Sequence, residues 1–241
     1  MHGFYKFCKA VLYLPYKAVF PTTVIGKENV PKDRNYLSVG NHLSWADTPN
    51  IGINIKGFRH FVAKKEIGDN RFVRWLALKL GVIFIDRGTA DLAAVKKILR
   101  ALKAGENVCI FPEGTRNREN TELQEIKSGA AMFAIKGGAV IVPMMIYRKT
   151  RAFRRNWLYV APPLDLSAYA GRKLDAEALD EAVERLSESM HRAKEYLDDY
   201  VANKRWKELR AAARAEKKRA KRERKRERKR ERKRERKAGG A

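Results

Sequence analysis

Tyr36-Leu37-Ser38-Val39-Gly40-Asn41-His42-Leu43-Ser44-Trp45-Ala46-Asp47-Thr48-Pro49 joins an apolar run to a polar segment in which a histidine precedes a carboxylate by five positions. Tyr36 to Val39 has the composition of a buried strand. Gly40-Asn41 supplies a turn, and Pro49 suits the first turn of a helix. On a regular helix, at about 100° per residue, His42 and Asp47 would project about 140° apart. They meet only if the backbone leaves the strand as a loop and winds into a helix near Asp47. A carboxylate beside one ring nitrogen fixes the histidine tautomer and stabilises the imidazolium. Ser44 has no Gly-x-Ser-x-Gly elbow around it and lies two residues from His42, so the attacking group belongs to a substrate. Taken alone, the pair has a competing reading as a capped helix whose histidine is an ordinary core or surface residue.

Outward from this stretch, strand and helix patterns alternate. Thr22 to Pro31 reads as a short strand and turn. Gly57 to Ala63 reads as a second strand, and Phe72 to Leu80 as a helix with Phe72, Trp75, Leu76 and Leu80 on one side. Val82 to Ile85 is an apolar run that ends in Asp86-Arg87-Gly88, and Asp91 to Lys103 is helical, stopped at Gly105. Asn107 to Phe111 runs into Pro112-Glu113-Gly114-Thr115-Arg116, which gathers a carboxylate, a glycine, a hydroxyl and a guanidinium at one strand end. Lys127 to Lys136 is helical, Gly137-Gly138 breaks it, and Val140 to Ile146 is an apolar strand interrupted by Pro143. Trp157 to Val160 reads as an edge strand, and Asp175 to Tyr200 as an amphipathic helix. The alternation predicts an α/β fold, a central and mostly parallel sheet flanked by helices, with ligands at the carboxyl ends of the strands.

The two ends have other characters. Phe4 to Phe20 is apolar and aromatic but carries Lys6, Lys9 and Lys17, and Pro15 breaks its helix register. It is too short and too charged to span a bilayer, and no small-residue cleavage site follows it. Phe4, Phe7, Val11 and Leu14 recur at helical spacing, which fits either a helix lying in the membrane interface or one docked on its own domain. Three parts are therefore expected: a membrane-interface helical segment over residues 1–21, a domain over 22–203, and a basic low-complexity tail over 204–241, helical or disordered.

The formal net charge is +25, from 53 Lys and Arg against 28 Asp and Glu. Arg214 to Lys237 alone holds 17 basic and 5 acidic residues, with Lys-Arg-Glu-Arg repeated four times from Lys221. Such a block lacks the apolar residues a core needs, so solvated and partly disordered is its default state. Electrostatic attachment to anionic lipid is its preferred role, and nucleic acid the other. Nothing aromatic interleaves the repeat, which leaves base stacking unsupported. The remainder is also basic, in keeping with a phosphate-bearing partner. Cys8 and Cys109 lie far apart, pointing to a reducing compartment without disulfides, and the four histidines form no metal-ligand spacing.

Assembled, these blocks resemble the lysophosphatidate acyltransferase family, the 1-acyl-sn-glycerol-3-phosphate O-acyltransferases of the wider glycerolipid acyltransferase group. The likeness covers roughly residues 20–165. Asn41 to Asp47 looks like the family's His-x4-Asp block, Gly81 to Arg87 like its second block, Phe111 to Arg116 like its third, and Val142-Pro143 falls where the fourth is expected. His-x4-Asp alone is a weak pattern; with Phe-Pro-Glu-Gly-Thr-Arg behind it the signature is specific. The resemblance implies acyl transfer from a thioester to a glycerol hydroxyl, with His42 as base and Asp47 orienting it. It implies Arg87 and Arg116 on the acceptor's phosphate, with Glu113, Gly114, Thr115 and Lys127 as further binding residues. It implies no cofactor, only acyl-CoA or acyl-ACP as cosubstrate, and places the enzyme peripherally or monotopically on the cytoplasmic face of the cell membrane. Met144-Met145 departs from the small β-branched residues expected in the fourth block, and the basic tail lies outside the pattern.

Overall fold

The computed structural model describes the backbone of residues 2–171, 173–203 and 205–238. Met1, Arg172, Lys204 and residues 239–241, which include parts of the expected N-terminal segment and tail, lie outside the described residues, as do the side chains of His2, Arg205, Trp206, Arg222 and residues 225–238.

Seven strands form one sheet: β1 (Thr22–Ile25), β2 (Tyr36–Gly40), β3 (His60–Lys64), β4 (Ile83–Ile85), β5 (Val108–Ile110), β6 (Val140–Ile146) and β7 (Asn156–Val160). Their order is β1-β7-β6-β2-β5-β3-β4. Neighbours run parallel except for β6 and β7, which are antiparallel. The helices are α1 (His2–Val19), α2 (Asp47–Asn54), α3 (Arg71–Lys79), α4 (Leu92–Lys103), α5 (Gly129–Gly137), α6 (Ala176–Ala202) and α7 (Arg205–Ala238). The expected α/β architecture with a mostly parallel sheet is the one observed.

Central strands β2 and β6 are buried along their whole length, as a sheet covered on both faces requires. Val142, Met144 and Ile146 join Ile51, Ile55, Phe61 and Leu158 in one core, with Met144 and Met145 wholly enclosed on opposite faces of β6. Three local expectations are corrected. Trp157 to Val160 is not an edge strand: β7 lies between β1 and β6, and all five of its residues are buried. Pro143 does not interrupt β6, where it sits opposite Val39 and its carbonyl accepts from Ala161 N at 2.9 Å. Nor does Pro15 break α1, because it falls near the helix end and Phe20 N still closes onto Tyr16 O at 2.7 Å.

α1 is docked by one face and bare on the other. Tyr5 Oη donates to Gly52 O at 3.2 Å, Tyr16 Oη to Ala46 O at 3.2 Å, and Lys17 Nζ to Asn54 Oδ1 at 3.0 Å, so the helix grips α2 along its length. Phe7, Val11, Leu12 and Leu14 face solvent. Among the described residues, no helix is long and apolar enough to cross a membrane. The C-terminal end of α2 is neutralised by cations: buried Arg59 donates to Ile51 O at 3.2 Å and Lys56 O at 2.7 Å, and Lys9 Nζ to Ile55 O at 2.5 Å. Burial, and behind it the Arg59 charge, pulls the Lys9 amine down to about 8.

The chain divides into two compact units, Met1–Leu197 and Asp198–Ala241. Within the first, α6 buries Ala182, Leu186, Met190, Ala193 and Leu197, one stripe at three- and four-residue spacing. In the second, the side chains of residues 207–221 on α7 are exposed.

Candidate active site

β2 delivers its chain to the carboxyl edge of the sheet, and Asn41 extends the ladder one residue further by side chain. Its Nδ2 donates to Ile146 O at 2.8 Å, and Ile146 N donates to its Oδ1 at 2.7 Å. The backbone then wraps around a carboxylate. Asp47 Oδ2 accepts from Leu43 N and Ser44 N, both at 2.6 Å, and lies 3.0 Å from His42 Nδ1; Oδ1 accepts from Ser44 Oγ at 2.8 Å. This is the loop-then-helix geometry that the five-residue spacing demands. Asp47 is fully enclosed, yet it is the first residue of α2, where the helix dipole and two backbone N–H groups favour its charge.

With the carboxylate accepting at Nδ1, the neutral imidazole carries its proton there and leaves the Nε2 lone pair available. The ring lies flat on Phe111, centroids 4.1 Å apart and planes within 13°, and its side chain is 15% exposed, enough for a reactant to reach it. Tyr16 roofs the turn from α1, and burial followed by the Asp47 charge pushes its phenol upward.

The Phe111–Asn117 segment at the end of β5 holds the backbone of His42 from both sides. Glu113 Oε1 accepts from His42 N at 3.0 Å, and Asn117 N donates to His42 O at 2.8 Å. Glu113 is 2% exposed and its Oε2 has no hydrogen-bond partner among the described residues, so desolvation dominates and pushes the carboxyl up to about 7. The hydrogen bonds from His42 and Gln124 pull the other way. Glu113, expected as a substrate-binding residue, is joined to the histidine through its backbone N–H. Asn117 escaped the sequence reading; its signal was an Asn following the strand-end cluster, and its Oδ1 indeed accepts from Glu119 N and Asn120 N, both at 3.1 Å.

The cations expected on a phosphate converge around Gly114. The guanidinium of Arg87, just past β4, donates through Nη1 to Gly114 O, and Lys127 N donates to Pro112 O at 3.1 Å. Gly114 has φ +72, and a Cβ on it would lie 3.1 Å from Lys127 Cε and Nζ, which places the Lys127 side chain over the glycine. Thr115 and Arg116 are exposed on the same turn. Trp45, three residues past His42, is 68% exposed and meets Phe20 edge-on at 6.4 Å. A separate cleft of about 580 Å³ runs along β4, with Lys65, Arg74, Lys97 and Arg100 around an apolar floor. Its Lys65 pairs at 3.7 Å with Asp86, the neighbour of Arg87. Among the described residues no group of three His, Cys, Asp or Glu is arranged to hold a metal ion.

Known proteins are similar to this chain in sequence and in fold. The chain is 34% identical over 140 residues to the 1-acyl-sn-glycerol-3-phosphate acyltransferase of Bacillus subtilis, covering 58% of this chain and 69% of that one. It is 31% identical over 178 residues to the enzyme of the same name from Borreliella burgdorferi, covering 68% and 70%. The crystal structure of the 1-acyl-sn-glycerophosphate acyltransferase PlsC from Thermotoga maritima superposes with a TM-score of 0.59 at 26% identity, over 81% of this chain and 79% of that one. Residues 21–147, the span from β1 to the end of β6 that holds the histidine turn, the β4 arginine and the Glu-Gly-Thr-Arg cluster, match the Acyltransferase family, and to that family the chain belongs.

Proposed function

We propose that this chain transfers a fatty acyl group from an acyl thioester, carried on coenzyme A or acyl carrier protein, to the sn-2 hydroxyl of 1-acylglycerol 3-phosphate, giving phosphatidate. The observation that carries this reading is the His42–Asp47 pair at 3.0 Å, with the histidine backbone held by Glu113 and Asn117 of the Glu-Gly-Thr-Arg segment and Arg87 and Lys127 beside Gly114. His42 Nε2 takes the proton of the acceptor hydroxyl as its oxygen attacks the thioester carbonyl. The C–S bond then breaks, and the departing sulfur leaves as thiol with the proton from the imidazolium. Asp47 holds the ring and offsets its charge throughout. Arg87, Arg116 and Lys127, with the Gly114-Thr115 turn, bind the phosphate. No metal or prosthetic group takes part. A thioester is already activated, so alignment and one proton transfer are what remains for the protein to supply.

The bare face of α1, with Phe7, Val11 and Leu14 outermost, supports peripheral attachment to the cytoplasmic membrane face, where anionic lipid attracts a basic protein. The basic rim along β4 supports docking of an anionic donor carrier.

Thiol release from acyl-CoA or acyl-ACP, measured with lysophosphatidate, glycerol 3-phosphate or an uncharged lysolipid as acceptor, tests both reaction and acceptor. Lysophosphatidate should be the preferred acceptor, and His42→Ala should lower the rate about 10²–10⁴-fold or more. Full activity in that variant, with a normal thermal transition, would overturn the mechanism; preference for another acceptor would overturn the substrate assignment.

A further inference from the structure

The connection from β6 to β7 holds a phenylalanine where the backbone disfavours one. Phe153 has φ 57, in the left-handed region that a bulky side chain occupies only under strain. It is also 81% exposed, so burial of the ring within this chain does not repay that strain. The base of the connection is rigid. Asn156, 1% exposed, donates to Arg148 O at 2.7 Å and Thr150 Oγ1 at 3.1 Å, and Arg148 N donates to Asn156 Oδ1 at 3.3 Å. The Arg148 guanidinium lies over Trp157 at 5.3 Å and donates to Arg155 O at 2.5 Å. The tip is tied down too, since Phe153 N donates to Val19 O, at the end of α1, at 2.6 Å. A ring held outward by so many bonds is presented rather than left over.

Its surroundings indicate what receives it. Lys149, Arg151, Arg154 and Arg155 flank Phe153, and residues 147–155 contain no acidic residue. β6 runs parallel to β2, so this connection leaves the same sheet edge as the His42 turn. It abuts α1 through Val19, and Phe20 then touches exposed Trp45. At the other end of α1, Phe4 meets Trp75 edge-on at 6.3 Å, and Trp75 stacks with Phe72 at 5.9 Å. An apolar ridge flanked by cations is the complement of an anionic lipid surface, whose acyl region takes the rings and whose headgroups take the arginines.

We propose that Phe153, collared by Arg151, Arg154 and Arg155, is a second membrane anchor that works with the outer face of α1 to seat the carboxyl edge of the sheet, and hence His42, against anionic lipid. It rests on the reading of α1 as an interface helix. A single helix lying in the interface leaves the molecule free to roll about its axis; a second contact beside it fixes the roll with the reactive edge facing the lipid.

The test uses the full chain and phosphatidylcholine vesicles with and without phosphatidylglycerol. Glycine suits the backbone at this position, so Phe153→Gly removes the ring without threatening the fold. It should lower partitioning about tenfold, while Phe153→Trp binds as the parent does. Arg151→Gln and Arg154→Gln should each cost about fivefold on phosphatidylglycerol vesicles and little on phosphatidylcholine alone. Thiol release on detergent-dispersed substrate should be unchanged in all four variants. Unchanged partitioning of Phe153→Gly overturns the proposal. In a Cys8→Ser background, a polarity-sensitive fluorophore placed through Phe153→Cys or Leu14→Cys separates the two anchors. A vesicle-induced blue shift at both positions supports both. A shift at Leu14→Cys alone leaves the α1 reading standing and removes the Phe153 anchor; a shift at Phe153→Cys alone overturns the α1 reading and with it the paired anchor; no shift at either ends both.

Discussion

Asp47 does two jobs with one carboxylate: it ties Leu43 and Ser44 into the turn, and it faces His42 Nδ1. In Asp47→Asn the amide oxygen takes the place of Oδ2, because an N–H there would face the Leu43 and Ser44 N–H groups; the turn and the ring contact are kept, and the negative charge that offsets the imidazolium is lost. The expected outcome is a loss of about 10²–10⁴-fold in kcat with KM little changed, checked by steady-state thiol release. Glu113 makes a different prediction. Its carboxyl titrates near 7 in the fold against 4.5 ordinarily, because burial disfavours its charged form. Between those values the folded chain binds more protons than the unfolded one, so stability falls as pH rises through that window. Glu113→Gln has nothing to titrate and still presents an oxygen to His42 N. Relative to the parent it should gain on the order of 2–3 kcal/mol between about pH 4.5 and 8. Denaturant titrations across that range check it; a constant difference would mean that Glu113 does not titrate there.

At the scale of elements, the candidate site is a meeting of turns: one after β2, one after β4 and one after β5, all at the carboxyl edge. Gly114 is where the last two touch. In Gly114→Ala the new Cβ occupies a left-handed backbone and presses on Lys127. We expect a stability loss of about 1–2 kcal/mol and a raised KM for the phosphate-bearing acceptor, with kcat reduced less. Thermal melts and a KM-against-kcat comparison test this, and an unchanged KM would place the acceptor elsewhere. α1 is the other informative element. Its apolar spacing left two readings open, a helix docked on the domain or one in the membrane interface. The structure shows docking through Tyr5, Tyr16 and Lys17 and an apolar outer face that remains uncovered.

For the molecule as a whole, charge is the long-range term. Removing Arg214 to Lys237 takes away 17 basic and 5 acidic residues, about half of the +25 net charge. The shortened chain should bind anionic vesicles more weakly, with the difference shrinking as salt rises, while thiol release on detergent-dispersed lysophosphatidate is spared. Vesicle co-sedimentation at two ionic strengths decides it. Equal binding by both forms, or binding of nucleic acid lost with the segment, would assign the basic tract a different partner.

Local chemistry was readable along the chain. Apolar runs, glycine stops and the His-x4-Asp spacing are short-range constraints, so the strands, most helix limits and the loop-then-helix turn at His42 followed from residues a few positions apart. The convergence of Arg87 with Gly114 was partly visible too, because both end apolar strands and parallel strands bring such ends to one edge. Tertiary structure alone decided the rest. β7 became an interior strand because β1 pairs with it across some 130 residues of chain. Glu113 was drawn onto the His42 backbone N–H and buried, since only the packed core decides which side of a turn is dry. Phe153 and Trp45 were left exposed beside α1 for the same reason. A hydrophobic pattern says which residues leave water within one element, whereas which faces remain wet depends on neighbours that folding brings from elsewhere in the chain.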